Sequence, residues 1–265
     1  MPSRSPLDLL LSFVGVFLVT VGPVGVVTAS LLPPDVSTTV LTVGGTALVS
    51  VPLAVWYWRS GRSVGDLGAF FFWVTGLSVV FGFVALSTLR VASSVTGRSA
   101  GLVPAVVGVA AVYAVAYYLV YRDGWVRLRA RLGANPLVDL LLSVVGVFLV
   151  TVGPVSVVTS YAYPPDVVTT VLDVAGTALV SIPLAVWYWR SGRSVGDLGT
   201  FFFWLVALSL LVGLPAALVL AVVGPVETGS AASGFLTAAY LFVVYAGAYY
   251  LVYRGGWRRV RASLD

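Results

Sequence analysis

Apolar residues fill the chain in eight long stretches, separated by short segments rich in Gly, Pro, Ser, Arg and Asp. Each stretch holds about 20 residues, which is the length that an α-helix needs to cross the ~30 Å hydrocarbon core of a bilayer. The stretches are apolar on all sides, unlike a helix on the surface of a soluble protein. The pattern predicts an all-α polytopic membrane protein with eight spans, at about Leu9–Leu32, Val36–Trp58, Leu67–Leu89, Gly101–Tyr121, Leu140–Tyr163, Val167–Trp189, Leu198–Val223 and Phe235–Tyr253.

The eight stretches form two copies of one four-helix unit. Residues 8–73 align with residues 139–204 at a constant offset of 131, and 55 of the 66 aligned positions carry the same residue. We therefore expect two homologous units, residues 1–130 and 131–265. Because each unit has an even number of helices, both copies insert in the same orientation, which predicts a parallel repeat about an axis along the membrane normal.

The positions of the arginines predict the orientation in the membrane. All 15 basic residues are arginines, and if the helices alternate, 13 of them fall on one side and only Arg90 and Arg98 on the other. Because basic residues collect in cytoplasmic loops, we expect both termini in the cytoplasm and the protein in the cell membrane. The Arg clusters at residues 127–131 and 258–261 are expected to contact anionic lipid headgroups.

Composition narrows the functional classes. The chain has 9% charged residues, no Cys and no His, and it has no Lys. These absences remove the thiol nucleophile, the commonest metal ligand and the commonest general base, and they exclude a retinal Schiff base. We therefore expect no enzymatic activity, no metal site, no cofactor and no nucleic-acid partner.

A face of polar side chains, which we call the polar seam, runs along the second helix of each unit with members at i, i+3, i+7 and i+11. The members are Thr39, Thr42, Thr46 and Ser50 in the first unit and Thr170, Asp173, Thr177 and Ser181 in the second. Asp173 is the only acid well inside a predicted span, and an intramembrane carboxylate is a candidate ion ligand or proton carrier. The alternative is that the hydroxyls only hold neighbouring helices together and that Asp173 reaches water.

Proline interrupts the first helix of each unit near its middle, at Pro23 and Pro154. A proline inside a helix frees the carbonyl four residues earlier, here that of Val19 or Val150. Paired breaks of this kind point to a binding site in transporters. The alternative is a packing device in which a neighbouring threonine hydroxyl satisfies the freed backbone group.

Other motifs have structural interpretations. In the fourth helices, Tyr113 and Tyr245 lie deep enough for the phenol to require a hydrogen-bond partner, and we expect them to pack in the core. The SGRSVGD segment, which occurs in both units, predicts a tight cytoplasmic loop. Asp35 and Asp166 each follow Pro-Pro and precede a helix, which predicts N-caps.

Two functional hypotheses stay open after the sequence. The first is a small-solute or ion permease with a path between the first and second helices of the two units, indicated by the repeat, the proline breaks, the polar seam and Asp173. The second is a non-catalytic structural or accessory subunit that packs against a partner protein, a pigment or another copy of itself. The scarcity of intramembrane charge favours the second hypothesis.

Overall fold

The computed structural model of the chain describes residues 6–33, 35–96, 102–133, 135–163, 167–223 and 231–262, and all regular structure in these ranges is helical. The helices are α1 (Pro6–Leu31), α2 (Val36–Arg59), α3 (Val64–Thr96), α4 (Leu102–Tyr121), α5 (Gly124–Leu132), α6 (Pro136–Ala162), α7 (Val167–Arg190), α8 (Val195–Val223), α9 (Ala231–Tyr253) and α10 (Gly256–Ala262).

The number of long apolar helices agrees with the predicted number of spans. Within the described ranges, seven helices are long and apolar enough to cross a membrane. The number becomes eight if Val106–Tyr121 of α4 and Gly124–Arg131 of α5, which meet at 81°, count as one broken span. The prediction of an all-α, multi-pass membrane protein is confirmed at this level.

The chain divides into two compact units, Met1–Ala134 and Asn135–Asp265. In the first unit α1 packs against α2, α3 and α4, while in the second α6 packs against α7 and α8. Among the described residues, α2 and α7 each have one extensive helix neighbour, α1 and α6 respectively. The opposite faces of α2 and α7 expose apolar side chains such as Leu48 (77% exposed) and Leu179 (73%), as expected of surfaces that contact lipid.

α2 begins at the predicted N-cap. The Asp35 Oδ1 atom accepts a hydrogen bond from the Thr38 backbone N–H at 2.8 Å, which confirms the cap. The Thr38 hydroxyl donates to the Pro33 carbonyl at 2.5 Å and ties the turn to the helix. The corresponding Asp166 lies outside the described residues.

The SGRSVGD segment is a helix start as well as a turn, so the prediction of a loop over the whole segment is wrong. α3 begins at Val64. The Asp66 N–H donates to the Ser63 Oγ atom at 3.0 Å, and the Ser63 N–H donates to the Asp66 Oδ2 atom at 3.3 Å. Ser194 and Asp197 repeat this reciprocal pair in the second unit. These bonds form a capping box, which satisfies N–H groups that a helix start leaves unpaired.

The sequence analysis did not anticipate the short helix that follows α4. Asp123 adopts a left-handed conformation (φ 54°) at the bend between α4 and α5. A Cβ atom on the next residue, Gly124, would lie 2.6 Å from the Tyr118 carbonyl oxygen, so only glycine fits this bend. The bend therefore directs α5 away from the axis of α4.

α5 is amphipathic and is attached to its unit by an aromatic contact. The ring of Trp125 packs on Trp73 with centroids 5.3 Å apart. Arginine occupies positions 127, 129 and 131 between the apolar residues of this helix. Arg127 and Arg131 lie on the side of α5 opposite Trp125, whereas Arg129, four residues after Trp125, lies on the same side. A short helix that combines arginines with apolar anchors is typical of a membrane surface.

Candidate functional site

The deeper half of the polar seam lies against the first helix of the same unit. Its members have no exposed surface: Thr46, Ser50, Thr177 and Ser181. The Ser50 hydroxyl lies 2.7 Å from the Thr20 hydroxyl on α1, and the Ser181 hydroxyl lies 2.6 Å from the Thr151 hydroxyl on α6. The Thr20–Ser50 and Thr151–Ser181 bonds connect the first two helices of each unit, α1 with α2 and α6 with α7, which we call the first and the second hairpin.

The outer end of the seam has a different register from the predicted one. Thr39 and Thr170 are exposed, whereas their neighbours Thr38 and Thr169 are buried. The polar residues of α2 on this face therefore recur at i, i+4, i+8 and i+12, starting from Thr38, and all but the half-buried Thr42 are buried. An i, i+4 row is inclined to the helix axis and follows a neighbouring helix that crosses at an angle. Because two threonines are adjacent in each unit, the sequence pattern allowed both choices.

In the first unit, each buried hydroxyl of the seam has a partner. The Thr42 hydroxyl donates to the Thr38 carbonyl at 2.8 Å, and it also lies 2.6 Å from the Thr28 hydroxyl on α1. One turn further, the Thr46 hydroxyl donates to the Thr42 carbonyl at 2.6 Å. The Ser50 hydroxyl donates to the Thr46 carbonyl, again at 2.6 Å. Such bonds to the preceding turn let a hydroxyl lie inside an apolar interface without an unsatisfied donor.

The second unit has a carboxylate, that of Asp173, at the position that corresponds to Thr42 in the Thr28–Thr42 contact. Asp173 is half-buried, and its Oδ1 atom accepts a hydrogen bond from the Thr159 hydroxyl on α6. The Thr159 hydroxyl also lies 3.1 Å from two backbone carbonyls of its own helix, those of Val155 and Ser156. The carboxylate is therefore directed at α6, within the hairpin.

One turn below Asp173, the second seam also departs from the first. The Thr177 hydroxyl is fully buried and has no hydrogen-bond partner within the part of the chain that the structure describes. Its counterpart Thr46 is equally buried but is bonded. A buried hydroxyl without a partner costs roughly 1–3 kcal/mol by protein mutational data, so Thr177 lacks a stabilising bond that Thr46 has at the same depth of the first unit.

At its turn, the first hairpin has an open cavity of about 680 Å³, which lies between the end of α1 and the start of α2. Its polar lining includes Thr28, Asp35, Thr38 and Thr42. The cavity thus extends from the turn at Asp35 to the depth of Thr42, the residue that corresponds to Asp173. Below this depth, buried and hydrogen-bonded side chains of the seam fill the interface.

The proline breaks are satisfied internally. Pro23 leaves the Val19 carbonyl without its helical partner, and the phenol of Tyr113 on α4 donates a hydrogen bond to that carbonyl. The same bond joins Tyr245 to Val150 in the second unit. The neighbouring threonine of each helix, which the sequence suggested for this role, bonds elsewhere. The freed carbonyls are therefore occupied, and neither break supplies an open ligand group.

No protein-family model matches the chain, and comparison with curated proteins and with solved structures gave no match either. Function is therefore inferred from the residues of the chain itself.

Proposed function

We propose that the protein is a permease for a small ion, or for a small solute coupled to one, and that Asp173 binds the charge. The observation that supports this most is the direction of the Asp173 carboxylate, which lies against Thr159 of α6. An acid that served only as a contact to the membrane surface would point out of the hairpin, towards headgroups or water.

The first unit shows that the hairpin does not need an acid at this position. There the joint is closed by two hydroxyls, those of Thr28 and Thr42, at 2.6 Å. A carboxylate near the centre of a membrane helix costs about 2.5–3.5 kcal/mol on insertion scales, and less towards its ends. Asp173 therefore adds a charge, which is unfavourable in the membrane, at a contact between two helices that a neutral residue can also make.

The cavity of the first unit suggests how a solute reaches this depth. It leads from the hairpin turn to Thr42 and ends above the fully buried Thr46 and Ser50. Five of the nine lining positions carry the same residue in the second hairpin, and the other four carry Ser156, Ser160, Tyr163 and Asp173. We infer that a narrower and more polar entrance leads to Asp173. An entrance open at one end and closed at the other is what a permease requires when it exposes one site alternately to the two sides.

Uptake by purified protein in liposomes tests the proposal. Vesicles with wild-type protein should take up a monovalent cation tracer or protons down an imposed gradient. Asp173→Thr should lose this uptake, because it gives the second hairpin the neutral joint of the first. Thr42→Val is the matched control, since it removes a hydroxyl at the same depth of the first hairpin without a change of charge, and it should keep the uptake. Equal uptake by wild-type protein and Asp173→Thr would contradict the proposal.

A second candidate function is that of an accessory subunit in a larger membrane assembly. The interhelical hydroxyl bonds favour it, because Thr20–Ser50 and Thr151–Ser181 stabilise each hairpin without lining a path. The exposed apolar faces of α2 and α7 would then contact a partner protein or a second copy. This candidate predicts that folded wild-type protein gives no uptake of any ion and that a membrane partner, or a second copy, co-purifies in a fixed ratio from native membranes.

A further inference from the structure

The two hairpins differ chemically where their helices meet. Gly25 and Thr42, which lie against each other in the first hairpin, correspond to Ser156 and Asp173 in the second. The seam hydroxyl one turn below is bonded in the first hairpin, at Thr46, and unpaired in the second, at Thr177. The second hairpin therefore holds a negative charge and a free buried hydroxyl next to each other, one helical turn apart on the same face.

A third oxygen belongs to the same group. The Thr159 hydroxyl donates to the Asp173 carboxylate, and it has alternative acceptors at 3.1 Å in the Val155 and Ser156 carbonyls. A threonine has one hydroxyl proton and two acceptor lone pairs. If the hydroxyl donates this hydrogen to a backbone carbonyl instead of the carboxylate, the lone pairs of the Thr159 oxygen can bind a cation beside the carboxylate. The rearrangement needs only a rotation of the hydroxyl hydrogen.

The charge of the site restricts its ligand. Carboxylate and hydroxyl oxygens are hard donors that suit alkali and alkaline-earth cations. No group of three or more Asp, Glu, His or Cys residues occurs in the part of the chain that the structure describes. One carboxylate balances a single positive charge, whereas a dehydrated divalent cation would stay uncompensated in an apolar interface. A proton would need only the carboxylate and would leave the Thr177 hydroxyl unpaired.

From these oxygens we infer a binding site for one alkali cation, Na⁺ or K⁺, between α6 and α7, formed by the Asp173 carboxylate and the hydroxyls of Thr159 and Thr177. The inference rests on the proposed function in one respect: it names the ion that the permease moves or uses for coupling. The cation gives the Thr177 oxygen a partner and neutralises Asp173. The neutral oxygens replace part of its hydration shell, as they do in the ion sites of channels.

Thermal unfolding of the purified full chain in detergent tests the site without any measurement of transport. The midpoint is measured against NaCl or KCl, with choline chloride replacing the salt so that ionic strength is constant. A ligand that binds only the folded state raises the midpoint in a concentration-dependent way, so at least one alkali cation should raise it by a few degrees. Thr177→Val should raise the apparent dissociation constant for that cation on the order of tenfold, the loss of one good ligand. Asp173→Thr should abolish the dependence, and Thr46→Val, the matched change in the first hairpin, should leave it intact.

The outcomes separate this inference from the proposed function. A midpoint that neither cation changes, in a protein whose uptake still requires Asp173, would overturn the alkali-cation site and leave the permease with a proton as its ion. An Asp173-dependent shift with pH but not with Na⁺ or K⁺ would overturn it in the same way. The third outcome is a protein without uptake that alkali cations stabilise and in which Asp173→Thr abolishes this stabilisation. It would support the cation site and contradict the permease function.

Discussion

The phenol of Tyr113 donates its hydrogen bond to the Val19 carbonyl, the backbone group that Pro23 deprives of its partner in α1. In the hydrocarbon region no water can take that place, so an unpaired carbonyl is costly. α4 therefore holds α1 at its proline break. The tyrosine and the proline, 90 residues apart in the sequence, form a single structural device that the second unit repeats at Tyr245 and Val150.

This bond predicts a specific loss of stability. Tyr113→Phe keeps the ring and removes the donor, and it should lower the free energy of unfolding by about 1–3 kcal/mol. The measurement is equilibrium unfolding in mixed micelles with increasing denaturing detergent. Tyr117→Phe, at a phenol that is 40% exposed on the same helix, is the control and should change stability by less than about 0.5 kcal/mol.

A double-mutant cycle identifies the cause. Pro23→Ala restores a backbone N–H that can bond the Val19 carbonyl, so Tyr113→Phe should cost clearly less in that background. If the two changes add independently, the phenol does not compensate for the proline.

Folding should tolerate, in place of Asp173, the threonine that the first unit has at the corresponding position, Thr42. Asp173→Thr gives the second hairpin the hydroxyl pair seen at Thr28 and Thr42. It also removes a charge, so stability in the absence of alkali cations should be unchanged or raised by up to about 1 kcal/mol. The same detergent titration measures it. A loss of more than about 2 kcal/mol would show that the acid is structural, which would remove the main reason to assign it a ligand.

The sequence was sufficient for features that depend on local patterns. Length and hydropathy predicted the long helices, and the Pro-Pro-Asp signal predicted the cap at Asp35, because a bilayer and a helix end impose constraints on neighbouring residues. The proline pattern identified the freed carbonyls for the same reason. The repeat and the orientation of the termini are predictions that need their own experiments.

Features that depend on tertiary contacts were missed or left open. Thr38 rather than Thr39 is buried, and its hydroxyl bonds the Pro33 carbonyl in the turn between α1 and α2, a contact that no single-helix pattern contains. Tyr113 and Val19 each needed a partner, but their separation along the chain hid the match. α5 was missed because its apolar anchor, Trp125, packs on a residue of another helix, Trp73. The free hydroxyl of Thr177 shows only in three dimensions.

α5 should respond to the charge of the lipid. The chain has no cysteine, so Val126→Cys gives one site for an environment-sensitive fluorophore on this helix. In vesicles with about 30% anionic lipid, the probe should report a less polar surrounding than in neutral vesicles, since each arginine near such a surface contributes about 1 kcal/mol. Replacing Arg127, Arg129 and Arg131 with Gln, or raising the salt to about 1 M, should remove the difference. A probe signal that is the same in anionic and neutral vesicles would contradict a position of α5 at the membrane surface.

The arginine distribution predicts the topology of the chain. Reporter fusions after four positions should report the cytoplasm: Arg62, Arg131, Arg193 and Asp265. Fusions near four others should report the exterior: Asp35, Arg98, Asp166 and Glu227. Because the positive-inside rule sets the orientation of the whole bundle, one reproducible reversal within these sets would contradict eight alternating spans.

The central claim, that Asp173 binds a charge which crosses the membrane, is tested most directly by charge movement. Proteoliposomes adsorbed on a solid-supported membrane receive a jump in cation concentration or pH while the capacitive current is recorded. Wild-type protein should give a transient current, and Asp173→Asn, which keeps the shape of the side chain and removes its charge, should give none at equal protein density. An equal current from Asp173→Asn, or no current from folded wild-type protein with any of H⁺, Na⁺ and K⁺, would contradict the account.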